Sequence, residues 1–252
     1  MDRRLWEAAQ KGDVHHLQSL IKEDPLILRA VSLAGNENPL HIACLSGHLE
    51  FVKETIHLRP EFARELNHDG FTPLHIASAI GDIEIVKQLL NVDRNLCLLK
   101  GKDRIIPLHY AVIKGRKNVT RELLVASPDS AEEVTAHGET CLHLAVKNHQ
   151  FEENLNESNK YDLLNKKDIQ GNTVLPSYCV VDLWLDENVV GKGEVNSLNK
   201  RGLTPLEVLL KESGDNDIEE ILRASGAVSV ENLQPLQQEA LPQSWVFPVQ
   251  DP

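Results

Sequence analysis

Four histidines stand in nearly the same surroundings. His41, His75, His109 and His143 each follow a leucine, three of them in Pro-Leu-His and the last in Cys141-Leu142-His143, at equal steps of 34 residues. Imidazole titrates near neutrality and is a common zinc ligand, so four such groups could form a metal centre or supply a general base. Ligands to one zinc must converge to about 2 Å from the ion, however, whereas units repeated at a fixed period keep successive copies apart. The other use of an imidazole is architectural. It donates at one nitrogen and accepts at the other, which suits a buried polar bridge made once per unit.

Little else in the sequence suggests chemistry. There is no GxxxxGK[ST] phosphate loop, no HExxH helix and no paired-cysteine metal spacing. Cys44, Cys97, Cys141 and Cys179 show no close pairing, which predicts reduced thiols and a cytosolic or nuclear setting. The acidic stretch SGDNDIEE lacks the oxygen pattern of a calcium loop, and helix capping accounts for it. No catalytic, cofactor-binding or metal-binding residue is therefore nominated, and no small-molecule substrate is expected. A net charge of −12 and a pI near 5.4 argue against a nucleic-acid partner, because phosphate contacts need clustered cations. One band runs against that balance: Lys100, Lys102, Arg104, Lys114, Arg116, Lys117 and Arg121, with Asp103 as the one acid among them. Such a band could meet an acidic partner. No run approaches the roughly 18 apolar residues that span a membrane, and the start MDRRLWEAAQKGD has no signal-peptide core, so this chain is expected in the cytoplasm.

The elements that would carry the histidines follow from the period. In FTPLHIASAIGDIEIVKQLL, Thr72 can cap a helix, Pro73 fits its first position, and Leu74, Ala77 and Ile80 give it an apolar side. Gly81 ends that helix, Asp82 can cap the next, and Ile83, Val86, Leu89 and Leu90 recur at helical spacing. Three residues before the motif's first position stand Asn36, Gly70, Arg104 and Gly138, where a tight turn is expected. Small residues at Ala43, Ala77, Ala111 and Ala145 permit close helix approach. A fixed step of this size marks an all-α solenoid of stacked helix-turn-helix units joined by β-turn or hairpin loops, stabilised by burial between neighbours.

The Thr-Pro-Leu-His-x-Ala element at Thr72 to Ala77, the 34-residue step and the glycine between helices resemble the ankyrin repeat. More narrowly, the chain is similar to plant ankyrin-repeat proteins that continue into a C-terminal membrane domain and act in defence or developmental signalling. The resemblance implies that His41, His75, His109 and His143 are structural, bonding across the turn and to the adjoining unit. It implies a non-enzymatic scaffold for protein partners, which bind at turn tips and at the exposed side of the first helix in each pair. The matching positions are Asn67, His68, Asp69, Phe71, Lys100, Lys102, Asp103, Arg104, Ile105, His137 and Glu139 on the tips, with Ser78, Lys114, Arg116 and Lys117 beside them. The alternatives are a membrane-associated signalling protein of that plant type, whose longer relatives would lie at the plasma membrane, and a truncated competitor of a longer form.

Five segments are expected along the chain. Residues 1–34 form an N-terminal capping repeat, 35–149 well-formed repeats, 150–201 degenerate or shortened repeats, 202–226 a C-terminal capping repeat and 227–252 a flexible tail. The damage is read from His149 in place of the inter-helix glycine, from Pro176 at a histidine position, and from a shortened run around Cys179 to Leu185. In the last unit Glu207 replaces the motif histidine.

Overall fold

The computed structural model describes residues 2–32, 37–148, 165–173, 194–212, 219, 222–223 and 226–233. The chain divides into two compact units, Met1–Glu157 and Ser158–Pro252. All regular elements among the described residues are helical. His149, Pro176, Cys179 and most of the two damaged repeats lie outside the described residues, as does the tail from residue 234.

The first unit is an all-α solenoid. Its helices run in antiparallel pairs: α1 (Arg3–Lys11) with α2 (Val14–Glu23), α4 (Pro39–Ser46) with α5 (Leu49–Leu58), α6 (Pro73–Ile80) with α7 (Ile83–Val92), and α8 (Pro107–Ile113) with α9 (Lys117–Ala126). A short α3 (Ile27–Ser32) follows the first pair, and α10 (Cys141–Lys147) opens the fourth motif copy. First helices stack in one row, α1 on α4 on α6 on α8 on α10, and second helices in another, α5 on α7 on α9.

Local sequence sets each helix boundary. Asn38 and Thr72 accept from the backbone N–H of His41 and His75, Pro39, Pro73 and Pro107 occupy first-turn positions, and Gly47 and Gly81 close their helices with φ of 74° and 94°. Asp82 caps α7 through Ile85 N–H, as its position predicts. Among the described residues no helix is longer than 10 residues, too short to persist alone, so stability comes from the stack. Leu40, Leu74, Leu108 and Leu142 are buried in register, with Ala43, Ala77, Ala111 and Ala145 beneath them. Each such leucine contributes about 2 kcal/mol by burial. Between second helix and turn, single 3-10 turns at Pro60–Arg64, Arg94–Leu98 and Pro128–Glu132 bury Phe62, Leu96 and Ser130 at the same register.

In the second unit, α11 (Pro205–Glu212) buries Leu206 and Val208. Residues 227–233, expected as the start of an extension, are packed instead. Ala227 and Leu233 are buried, Val230–Asn232 makes a 3-10 turn, and the Val230 N–H donates to Glu207 Oε1 at 3.3 Å. The tether is the side chain that replaced the histidine, an inter-element contact with no local signature.

Candidate interaction surface

The histidines come first, because they decide what the surface can be. In each described copy the ring Nδ1 accepts from the backbone N–H three residues earlier: Asn38 at 3.2 Å, Thr72 at 3.1 Å, Ile106 at 3.3 Å and Thr140 at 3.2 Å. The proton must then reside on Nε2, which donates forward to a carbonyl of the next turn: Phe71 O at 2.9 Å from His41, Ile105 O at 3.0 Å from His75 and Glu133 O at 3.2 Å from His109. At His41, His75 and His109 both nitrogens are committed, so no lone pair is left there for a metal or a substrate proton. Burial holds the His41, His75 and His109 imidazoles well below the ordinary range, at about 4. Among the described residues no cluster of three or more His, Cys, Asp or Glu could hold a metal ion. Cys44, Cys97 and Cys141 are buried, and burial pushes the Cys44 and Cys97 thiols up, the latter to about 11, far from a reactive thiolate.

Glu207 performs the same task with the polarity reversed. Its Oε2 accepts from Thr204 N–H at 3.0 Å, as a motif Nδ1 would, and its Oε1 accepts from an N–H of the following segment instead of donating to a carbonyl. Glu207→His, a change toward the repeated motif, would set a ring N–H against a backbone N–H in either tautomer. The variant is expected to lose roughly 1–3 kcal/mol in urea unfolding of the second unit, where Glu207→Gln loses less. An unchanged midpoint would show that the Val230 contact does not hold that segment.

What the histidine bridges position is a row of turn tips. Each described tip is closed at its base by a backbone bond, such as Asn67 N–H to Phe71 O at 2.9 Å and Thr135 N–H to Glu139 O at 3.0 Å. Adjacent tips are also joined to each other. Lys102 N–H donates to Gly70 O at 3.1 Å, and Ala136 N–H donates to Asp103 O at 2.7 Å. The described tips of the first unit, at residues 67–71, 101–105 and 135–139, thus form one hydrogen-bonded rim. His68, Asp69, Lys102, Asp103, Arg104 and His137 are exposed there, and Phe71, Ile105 and Glu139 are half-buried.

Two residues expected to make contacts, Asn67 and Ser78, face inward instead. Asn67 is 6% exposed, and its Oδ1 accepts from the N–H groups of Asp69 at 3.1 Å and Phe71 at 2.9 Å, so it builds the turn. Ser78 is 0% exposed, packed on the stacking side of α6, and offers a partner nothing. The exposed basic band also divides by role. Lys100 pairs with Glu133 at 2.8 Å, and the Arg116 Nε–H donates to Ala79 O at 3.0 Å, so both tie neighbouring units together.

Arg116 belongs to a set that the periodicity did not disclose. The residue after the inter-helix glycine reaches back one unit: His48 Nε2 donates to Gln10 O at 2.8 Å, the position equivalent to Ala79. The glycine of the preceding unit makes room for it. A Cβ on Gly12 would meet the His48 ring at 2.6 Å, and one on Gly81 would meet Arg116 Cδ at 2.7 Å. The sequence pattern at Gly81 predicts a helix stop and carries no sign of this close approach.

The third tip differs from the other described ones. Asn67, Thr135, Asp168 and Asn199 each use a side-chain oxygen to accept from backbone N–H groups two and four residues on. Gly101 stands in that place at the third tip and has no such oxygen; a Cβ there would lie 2.4 Å from Gly70 O. Asp103 and Arg104 follow with φ of 56° and 58°, while Gly70, Gly138, Gly171 and Gly202 supply the left-handed residue at the other tips. A left-handed conformation costs a side-chain-bearing residue about 1 kcal/mol. Behind this tip, Phe71 and Tyr110 meet edge to face at 5.2 Å, and burial with the nearby Asp103 charge holds the Tyr110 phenol above its ordinary range.

Comparison with known proteins accords with this geometry. The chain is 21% identical, with a TM-score of 0.67, to the ankyrin repeat domain of Bcl-3, a member of the IkappaB protein family, covering 88% of this chain and 98% of that one. It is 21% identical, with a TM-score of 0.65, to the human ASB11 ankyrin repeat domain, covering 89% and 98%. At that identity the likeness is one of fold. A curated relative, ankyrin repeat-containing protein BDA1 of Arabidopsis thaliana, is 40% identical over 73 residues, which is 29% of this chain and 17% of that protein. A model of ankyrin repeats in three copies matches residues 5–98 and again 75–156, more than half of the sequence. The chain therefore belongs to the ankyrin-repeat family, whose stacked arrays are scaffolds for binding other proteins and not catalysts.

Proposed function

We propose that this chain is a cytoplasmic scaffold of plant signalling, in defence or development, that holds a protein partner along the tip rim and the exposed ends of the first helices. The observation that carries the reading is the division of labour between backbone and side chains. Tip backbones are bonded to one another and to the histidines, so the side chains can vary without loosening the stack. Exposed Leu45 and Ile80, near the C-terminal ends of α4 and α6, add apolar area on the first-helix row. The 40% identity to the Arabidopsis protein supports the plant setting. The resemblance to membrane-linked plant proteins extends the reading to a signalling complex at a membrane, with these turns on the cytosolic side.

Photo-crosslinking tests the surface. A benzophenone amino acid placed at Asp69 or Leu45 should trap a protein partner, and one placed at Val125, 71% exposed on the second-helix row, should not. Trapping from Val125 alone would place binding on the opposite row and overturn the assignment.

A further inference from the structure

The geometry points to the third tip as the docking point for an acidic, extended protein segment carrying an apolar side chain. This deepens the scaffold reading and rests on it. Lys102, Arg104 and Lys114 are exposed cations that make no side-chain hydrogen bond or ion pair within the described residues, in a chain whose net charge is −12. The acids around them are few. Asp69 on one neighbouring tip lies 3.3 Å from His68, Glu139 on the other is half-buried, Glu133 is taken by Lys100, and Asp103 stands among the three cations.

The backbone gives the second, independent reason. At the third tip an arginine occupies a left-handed position that glycine fills at the four other described tips, and the side-chain clamp on the turn is missing too. A side-chain-bearing residue held left-handed at an exposed position, where the other described tips place glycine, suits a side chain kept for contact. Beside it, the half-buried edge-to-face pair of Phe71 and Tyr110 offers an apolar step at the foot of the tip, and Lys114 lies one helical turn beyond Tyr110. A chain passing from Lys102 and Arg104 over Tyr110 to Lys114 meets cation, aromatic face and cation in that order. Carboxylates flanking a leucine or phenylalanine complement that order, and the two arginine nitrogens suit bidentate carboxylate contact.

The test uses the full chain and two fluorescein-labelled dodecapeptides, one alternating Glu and Asp around a central Leu, the other its Gln and Asn counterpart, read by fluorescence anisotropy. The acidic peptide should bind, weaken as salt rises, and lose about tenfold in affinity with Lys102→Glu or Arg104→Gly, while Lys22→Glu, a charge reversal in the N-terminal pair, leaves it unchanged. Arg104→Gly serves as its own folding control. By removing strain it should raise the thermal midpoint by roughly 2–4 °C while it weakens the peptide. Equal binding of the two peptides, binding by neither, or full affinity in both variants overturns the proposal. Crosslinking from Asp69 and Leu45 that survives Arg104→Gly would leave the scaffold reading standing and the acidic partner refuted.

Discussion

Lowering the pH from 8 to 5 is expected to remove about 6 kcal/mol from the stability of the first unit, well before most carboxylates titrate. His41, His75 and His109 are held at about 4 by burial, with the like charges of its two neighbours adding to the effect at His75. In the unfolded chain each returns to about 6.5. Between those values the unfolded state carries more protons, so acid favours it. The stability due to neutral rings is complete above about 6.5 and falls as the pH drops toward 4. For one ring the loss at pH 5 is about 2 kcal/mol, and the three together approach about 4 kcal/mol per pH unit near that point. Domains of this kind have roughly 5–15 kcal/mol in all, so cooperative unfolding is expected between about pH 4 and 5.5. Urea titrations at half-unit pH steps measure the slope directly. A flat stability between pH 6.5 and 5 would mean that the rings protonate freely in the fold and do not bridge the units.

How much of this was legible before any coordinates depends on whether a contact is made within a unit or between units. The caps at Thr72 and Asp82 and the stop at Gly81 could be read because each depends on residues a few positions apart, repeated at a constant step, whereas the forward bonds of His41 and His75, each 30 residues long, were legible only through the family resemblance. The backward reach of His48 and Arg116 could not be read, since each partner lies more than 35 residues away and the two side chains share no chemistry beyond an N–H. The equivalent position after the glycine holds Asp82 in the unit between them, which caps its own helix, so the column looks irregular in the sequence. The family resemblance puts Asn67 and Ser78 on the surface as a turn-tip and a first-helix position. Asn67 was drawn inward by the turn's unsatisfied N–H groups, and Ser78 by the packing of α6. Polar type reports exposure poorly wherever the backbone needs a local acceptor. The packed stretch through Leu233 escaped for a related reason: it is tethered by Glu207 and Asn196 side chains, which lie 23 and 32 residues from their main-chain N–H partners at Val230 and Val228.

His75→Leu should be nearly as damaging as His75→Ala, both losing about 3–5 kcal/mol, although leucine refills most of the space. Two buried groups decide this. Without the ring, the Thr72 N–H loses its acceptor and the Ile105 carbonyl loses the donor that fixes the third tip to α6. Leaving such groups unpaired costs roughly 1–3 kcal/mol each, and an apolar side chain prevents water from replacing the bond. If the histidine acted mainly by packing, alanine would be much worse than leucine, and the two variants in parallel separate these accounts. The pH profile gives a further readout that a packing role would not move. Removing one of three low-titrating rings should reduce proton uptake on unfolding near pH 5 by about one, lowering the slope of stability with pH by about a third. Because the bridge runs from α6 to the next turn, the loss should also appear as faster amide exchange at Lys102 and Ala136, whose N–H groups join the third tip to its neighbours. Protection that stays unchanged at both amides would place the histidine outside the mechanism that orders the rim.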